Sequence, residues 1–114
     1  MRPRDHPRYY ILDGHEPVQA DLMTWAKWFE TADRHVRDSF QDDVRVSTVC
    51  LGVDMSLFEG PPIVFETMVF IGREAIEQER YSTWAEAEEG HARHVAEVFK
   101  ATPILTLPTK AGID

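Results

Sequence analysis

The stretch IVFETMVFI, residues 63–71, decides the fold of this chain, because every position in it is apolar except Glu66 and Thr67. An apolar run of this length, rich in β-branched and aromatic residues, is typical of a strand that is buried on both faces. The run follows the residues GPP at 60–62, which exclude a helix or an interior strand immediately before it. We therefore expect residues 63–71 to form a central strand of a sheet.

The segments on either side of this run predict its neighbours in the sheet. Residues 44–53 (VRVSTVCLGV) are rich in Val, Thr and Ser and predict a second strong strand. Residues 35–40 predict a strand of mixed character, which the turn residues QDD at 41–43 join to it. Residues 76–81 predict a polar strand suited to an outer position, after a turn at 72–75. Because these links have hairpin length, the strands should pair antiparallel.

The beginning of the chain predicts a short hairpin followed by a helix. Residues 9–12 are a β-prone run that ends at the hairpin-type dipeptide Asp13-Gly14, and residues 15–18 follow as the return strand. Asp21 occupies the N-cap position of a helix that runs to about Ala32. The apolar stripe of this helix, at steps of three or four, consists of Leu22, Trp25, Phe29 and Ala32.

The last helix has the clearest start signal. Thr83 and Glu86 have the spacing of a capping box, which predicts that the helix begins just after Thr83. We expect it to end by about Ala101, before Pro103. Its inward stripe is predicted to be Trp84, Ala87, His91, Val95 and Val98.

Together these elements predict an α+β fold, with a small antiparallel sheet of four to six strands packed with two helices in the order β(β)αββββα. At 114 residues the chain fits one domain. The expected organisation is a flexible N-terminal segment at residues 1–7, a single α+β domain at residues 8–101 and a C-terminal tail at residues 102–114.

The composition argues against several classes of function. The net charge is −8, from 20 acidic and 12 basic residues, and no basic stripe is present, so we expect no nucleic-acid binding. No apolar run approaches the ~20 residues of a membrane helix, and the first residues do not resemble a secretory signal. The single cysteine, Cys50, is interpreted as a small core residue rather than a nucleophile. The expected location is the cytoplasm of a host cell.

Glu66 is the polar residue that most needs an explanation. In a strand it shares a face with Val64, Met68 and Phe70, and a carboxylate on an apolar face is costly unless it is paired. One interpretation is the floor of a ligand pocket or an acid/base group; the other is a structural carboxylate, paired within the fold or facing solvent. The candidate partners are His91, Arg34, Arg37 and Arg45.

The segment GHARH at 90–94 is the second polar feature. His91 and His94 lie three residues apart and can ligate a metal ion if a carboxylate joins them, but a hydrogen-bonded core histidine is favoured for His91. We therefore predict no metal and no cofactor. Gly90, in the middle of a helix, indicates close packing, with Phe29 or Trp25 as candidate neighbours. The sequence contains no phosphate-binding loop, metalloprotease motif, zinc ribbon or nucleophile elbow, so no motif supports catalysis.

Aromatic residues beside arginines suggest a binding surface. Trp28 with Arg34, and Tyr81 with Arg80, suit a protein interface or stacking on a nucleobase, whereas partial burial in a small domain is the alternative. The candidate ligand-binding residues are Trp28, Arg34, Arg37, Glu66, Tyr81 and His91.

Several motifs together resemble a family of small proteins encoded by phages and prophages. They are RYYILDG at 8–14, DLMTWAKWFE at 21–30, ADRHV at 32–36, VSTVCLG at 46–52, GPP at 60–62, FETMVF at 65–70 and RYSTW at 80–84, with Glu86-Ala87 and Gly90-His91. The resemblance covers residues 8–98. It implies a phage or prophage setting rather than an activity, because the family is uncharacterised. The chain departs from the pattern at residues 53–55 (VDM), where the family has a Leu-Asp-His type ending.

The leading hypothesis is a non-enzymatic phage accessory protein, expected in counter-defence, that binds a host protein or sequesters a small nucleotide-like signalling molecule. Sequestration requires convergence of the arginine and aromatic candidates and favours a homo-oligomer, since one small domain cannot easily enclose a dinucleotide. Binding a basic host surface would use acidic residues of the last helix, namely Glu86, Glu88, Glu89 and Glu97. The alternatives are a small enzyme with Glu66 and His91 as an acid/base pair, or a phage structural or assembly component.

Overall fold

The computed structural model describes the backbone of residues 8–106 and the side chains of residues 8–99. Two helices and six strands follow one another in the predicted order ββαββββα, and the α+β fold is confirmed. The elements are β1 (Tyr10–Asp13), β2 (Glu16–Gln19), α1 (Leu22–Thr31), β3 (His35–Gln41), β4 (Val44–Cys50), β5 (Phe65–Ile71), β6 (Glu74–Tyr81) and α2 (Trp84–Thr106).

The last four strands form one antiparallel sheet in the order β3-β4-β5-β6. The apolar stretch that includes β5 is therefore central, and the polar strand β6 lies at an edge, as predicted. Strands β1 and β2 pair with each other in a separate two-stranded sheet. The turn between β5 and β6 is tighter than expected, since β6 begins at Glu74, and Gly72 adopts a positive φ of 62° there.

The strand alternation gives the main sheet two different faces. In β4 the buried residues Val44, Val46, Thr48 and Cys50 alternate with half-buried ones. In β5 the buried residues are Phe65, Thr67 and Val69. Helix α2 packs across all four strands on this buried face. No helix in the described part of the chain covers the opposite face, which we call the open face.

Helix α1 does not lie on the main sheet; it packs against β1 and against the segment that follows β4. Gly52 makes this possible, because a Cβ there would lie 3.0 Å from Trp25 Nε1 and 3.2 Å from the Phe29 ring. Gly52 also has a positive φ of 77°, which ends β4 before the predicted limit at Val53. The close packing expected on Trp25 or Phe29 therefore belongs to Gly52 rather than Gly90.

The helix starts are confirmed by their caps. Asp21 accepts a hydrogen bond from Thr24 N at 2.8 Å. Thr83 Oγ1 accepts one from Glu86 N at 3.0 Å, and Glu86 Oε1 accepts one from Thr83 N at 3.2 Å. These contacts form the reciprocal capping box. Leu22, assigned to the apolar stripe of α1, is 53% exposed.

The predicted end of the last helix by about Ala101 is wrong, since α2 continues to Thr106. Pro103 has a φ compatible with a helix, and it lies only three residues before the end of α2; inside the helix it still lacks an N–H donor and crowds the carbonyl of residue 99, which disfavours this last turn without preventing it. The predicted flexible segment at residues 1–7, and the part of the predicted tail beyond Thr106, lie outside the described residues. Although α2 has 23 residues, no described helix is both long and apolar enough to cross a membrane.

Gly90 lies where α2 passes over the buried ring of Tyr81. A Cβ at this position would overlap the ring and its hydroxyl group. Tyr81 is itself held beneath the helix, with 7% of its surface exposed. A glycine is therefore required for α2 to approach β6 this closely.

We predict that Gly90→Ala destabilises the protein by about 1–3 kcal/mol, even though alanine is the better helix former by about 1 kcal/mol. The overlap with Tyr81 must be relieved by moving the helix or the ring. Urea unfolding followed by circular dichroism measures the change. Ala92→Gly, on the exposed side of the same helix, is the control and should cost only the propensity difference; a Gly90→Ala protein more stable than wild type would contradict this packing.

Candidate functional site

A layer of polar side chains lies between α2 and the main sheet, at a position where small domains usually place apolar residues. We call it the inner polar layer; it consists of Ser39, Thr48, Thr67, Tyr81 and His91. Thr48 and Thr67 are directly opposite each other in β4 and β5 and are fully buried. His91 is 4% exposed and reaches them from α2. Strand alternation and the helix stripe therefore bring these groups to one place.

Hydrogen bonds connect the whole inner polar layer. His91 Nδ1 lies 2.7 Å from Thr48 Oγ1, and His91 Nε2 lies 2.8 Å from Ser39 Oγ. Thr48 and Thr67 share a hydrogen bond of 2.6 Å, and the Tyr81 hydroxyl lies 2.9 Å from Thr67 and 3.1 Å from the Glu79 carboxylate. Each hydroxyl has one hydrogen and an ionised carboxylate only accepts, so Tyr81 donates to Glu79, and donation runs from His91 Nδ1 through Thr48 and Thr67 to Tyr81. His91 Nε2 then accepts from Ser39.

Burial favours the uncharged forms of the two titratable members of this layer. It lowers the pKa of His91, with nearby Arg37 and His94 acting in the same direction and Asp38 opposing them. Burial likewise raises the pKa of Tyr81, reinforced by Glu79. A neutral imidazole with both nitrogens occupied by hydroxyl groups has no lone pair left for a metal ion. The inner polar layer therefore acts as a structural network, which agrees with the predicted core role of His91.

The predicted pair of Glu66 and His91 does not form. Glu66 is on the open face, one residue from Thr67 on the buried face, so β5 itself separates it from α2. Its carboxylate accepts a hydrogen bond from Arg80 Nε at 3.0 Å, across the strand pair of β5 and β6. Glu66 is thus a structural carboxylate, and its partner is not among the four residues proposed from the sequence.

The other predicted ligand-binding residues do not converge. Arg34 donates to Cys50 O at 2.8 Å and lies over the Phe29 ring at 4.1 Å. Arg37 pairs with Glu88 of α2 at 3.4 Å. The two remaining aromatic candidates are occupied by packing, as the alternative interpretation predicted: Trp28 lies against the apolar core, and Tyr81 is 7% exposed.

Cys50 is a core residue, as predicted. It is fully buried in β4 within the main apolar cluster. Burial also raises the pKa of its thiol, which disfavours the reactive thiolate.

One cleft has the size of a small-molecule site, with a volume of about 600 Å³. It lies between the β1–β2 hairpin, the residues GPP at 60–62 and the start of α2. The His15 ring stacks on Trp84 in its wall, with centroids 3.7 Å apart and planes 3° from parallel. Its charged side chains are Asp13 and Glu16, which repel phosphate groups. This cleft is unsuited to a nucleotide.

The open face carries apolar side chains on its two central strands, where half-buried Val49, Met68 and Phe70 form an apolar strip. Phe40 of edge strand β3 is 65% exposed and lies on the far side of Arg45, whose guanidinium group is 5.3 Å from the centroid of its ring. Ion pairs lie at the sides of this strip. Arg45 donates two hydrogen bonds of 2.9 Å to Asp38, and Arg80 pairs with Glu66.

The inner polar layer was not identified from the sequence, although part of it had a signal. The alternation in VRVSTVC, residues 44–50, places Arg45 and Ser47 on one face and therefore Thr48 on the other. The stretch that contains β5 is apolar at almost every position, so its own pattern does not show which face Thr67 occupies. The contact between Thr48 and Thr67 depends on strand register, which only the folded structure gives.

Comparison of the chain with known protein families, with curated proteins and with solved structures found no match. The phage-type resemblance therefore stays an expectation from sequence motifs, and the function must be argued from the geometry.

We predict that the free energy of unfolding falls as the pH drops below the ordinary histidine pKa of 6.5. In that range the unfolded chain binds a proton at His91 that the native protein binds only at lower pH, so acid favours unfolding. Urea unfolding between about pH 5 and pH 8 measures the slope.

The variant His91→Gln should show a shallower slope than wild type. His35→Gln, which replaces a half-exposed histidine on β3, is the matched control and should retain the part of the slope that His91 contributes. Equal slopes in wild type and His91→Gln would contradict a buried, neutral His91.

Proposed function

We propose that this chain is a non-enzymatic, phage-type accessory protein that binds a host protein through the open face of its sheet. The observation that carries the proposal is the apolar strip of Val49, Met68 and Phe70, with the exposed Phe40 ring beyond Arg45, none of which a described helix covers. An antiparallel sheet with one solvated face usually presents polar side chains there. An exposed apolar strip between charged neighbours instead has the composition of an interface centre with a polar rim.

The electrostatics of the open face favour an apolar partner surface over a strongly charged one. Arg45 and Arg80 are each neutralised by a carboxylate on the same face, Asp38 and Glu66. The face therefore carries little net charge, although the chain as a whole carries −8. Paired arginines at a rim tend to set orientation and association rate, while the apolar centre supplies affinity.

The sequence predicted two modes of action, namely binding of a basic host surface by acidic residues of α2 and sequestration of a nucleotide-like molecule, and both have less support than binding by the open face. The acidic side of α2 is a weaker docking surface than expected, because Glu86 caps the helix and Glu88 pairs with Arg37. Sequestration of a nucleotide has less support, because the arginine and aromatic candidates lie apart and the 600 Å³ cleft carries carboxylates. Use of Glu66 and His91 as an acid/base pair has no geometric support. A role in counter-defence rests on the phage-type resemblance.

The test places a photo-crosslinking amino acid, p-benzoylphenylalanine, at residue 40 or residue 23 in protein expressed in bacterial cells. Met23 is the matched control, since it is 71% exposed on α1, away from the open face. We expect one host protein to crosslink at residue 40 and not at residue 23. Mass spectrometry identifies this protein, which is then purified.

Affinity measurements with the purified partner complete the test. Phe40→Asp should weaken binding at least about tenfold, because it replaces a 65% exposed aromatic side chain of the open face by a charge. Met23→Asp should bind as wild type does. Equal binding by both variants, or crosslinking only to a second copy of this chain, would overturn host-protein binding by the open face.

A further inference from the structure

A second group of polar side chains lies where α2 passes over the edge strand β6. Glu77 of β6, together with His94 and Glu97 of α2, each offer one ligand atom, and these atoms lie within 4.8 Å of one another. We call these three residues the histidine–carboxylate cluster. We infer that the histidine–carboxylate cluster binds a divalent transition-metal ion, with Zn²⁺ as the best match. This inference is independent of the proposed partner binding, since the cluster is not on the open face.

The orientation of the His94 ring is the observation that points to a cation. His94 Nε2 lies 2.9 Å from Glu79 Oε1, and an ionised carboxylate only accepts hydrogen bonds, so Nε2 carries the hydrogen. In the neutral ring this leaves a lone pair on Nδ1. The His94 side chain is only 9% exposed, and Nδ1 is buried without a hydrogen-bond partner among the described residues.

The nearest charged group to that lone pair is another acceptor. Glu77 Oε1 lies 3.3 Å from His94 Nδ1. Two lone pairs facing each other at this distance repel, and the arrangement becomes favourable when a cation lies between them. Glu97, three residues after His94 on α2, brings a second carboxylate to the same point.

The spacing and ligand types suit zinc. Ligands at about 2.0–2.1 Å from a tetrahedral Zn²⁺ lie roughly 3.3 Å apart, which matches the distance between His94 Nδ1 and Glu77. Glu77 and Glu97 are both exposed and can rotate to complete the site. An imidazole nitrogen favours Zn²⁺ over Mg²⁺ or Ca²⁺, which prefer sites made only of oxygen atoms. Three protein ligands would leave a fourth position for water.

The hydrogen bond from His94 Nε2 to Glu79 is of the kind found in metal sites. Metal-bound histidines usually donate their other ring N–H group to a carboxylate, which fixes the ring and makes it a better ligand. Glu79 has this position, and it is itself held by Arg93 Nη1 at 3.0 Å and by the Tyr81 hydroxyl at 3.1 Å. The metal pair suggested by the sequence, His91 with His94, is thus replaced by His94 with two carboxylates.

The chain offers a matched control for nonspecific binding. His35 also lies beside two carboxylates, with Nδ1 3.2 Å from Asp33 and Nε2 3.9 Å from Asp38. Its side chain is 49% exposed, and Asp33 is more exposed still. If acidic neighbours alone were enough for a histidine to bind zinc, His35 would bind it too, and His35→Gln would lower the amount of zinc bound.

The experiment titrates Zn²⁺ into the full chain, after removal of any affinity tag, in competition with a chromophoric chelator. We expect one ion per chain, bound at least about tenfold more tightly than Mg²⁺. Glu77→Gln and Glu97→Gln should each weaken binding by about tenfold or more, and Glu79→Gln by about 10–100-fold. Glu89→Gln and His35→Gln should bind as wild type does.

The test uses variants of Glu77 and Glu97 rather than of His94, because replacement of the buried His94 could prevent folding. Circular dichroism should show that both fold, since both side chains are exposed. X-ray absorption of the zinc-loaded protein should show a single imidazole among oxygen ligands. Absence of zinc binding would overturn the inference, as would equal loss of affinity in His35→Gln or Glu89→Gln.

Discussion

The hydrogen bond between His91 and Thr48 is the contact on which the arrangement of this protein depends. It joins α2 to the central strand β4 in a region closed to solvent, where an unpaired imidazole or hydroxyl would be costly. Because Thr48 also bonds to Thr67, the same contact requires one register between β4 and β5. An apolar helix stripe alone would tolerate small sliding movements, whereas a fully bonded polar layer specifies one position.

The tight approach of α2 to β6 connects this layer to the rest of the molecule. Gly90 lets the helix pass over Tyr81, whose hydroxyl contacts Thr67 on one side and Glu79 on the other. Glu79 in turn orients His94. The structural network beneath the helix is thus continuous with the proposed zinc site at its edge, and the support for that site comes from packing that the fold already requires.

The two faces of the sheet divide the roles of the molecule. One face is covered by α2 and contains the polar layer, so its functional groups are inaccessible to a ligand. The other face presents an apolar strip between ion pairs and no described helix covers it, which favours association with a protein. Glu66 and His91 cannot act as a catalytic pair, because Glu66 is on the open face and His91 lies on the opposite face, together with Thr67, the residue that follows Glu66 in the same strand.

The sequence by itself determined the order of the elements, both helix starts, the central position of residues 63–71 and the burial of Cys50. These features follow from local signals: Asp21 and the Thr83–Glu86 box satisfy backbone groups within one helical turn, and a strand apolar on both sides must lie inside a sheet. Only the tertiary structure decided the partner of Glu66, the neighbour of Gly90 and the meeting of Glu77 with His94. Those contacts join residues distant in sequence, and they depend on strand register and on the path of α2 across β6, which no local pattern encodes.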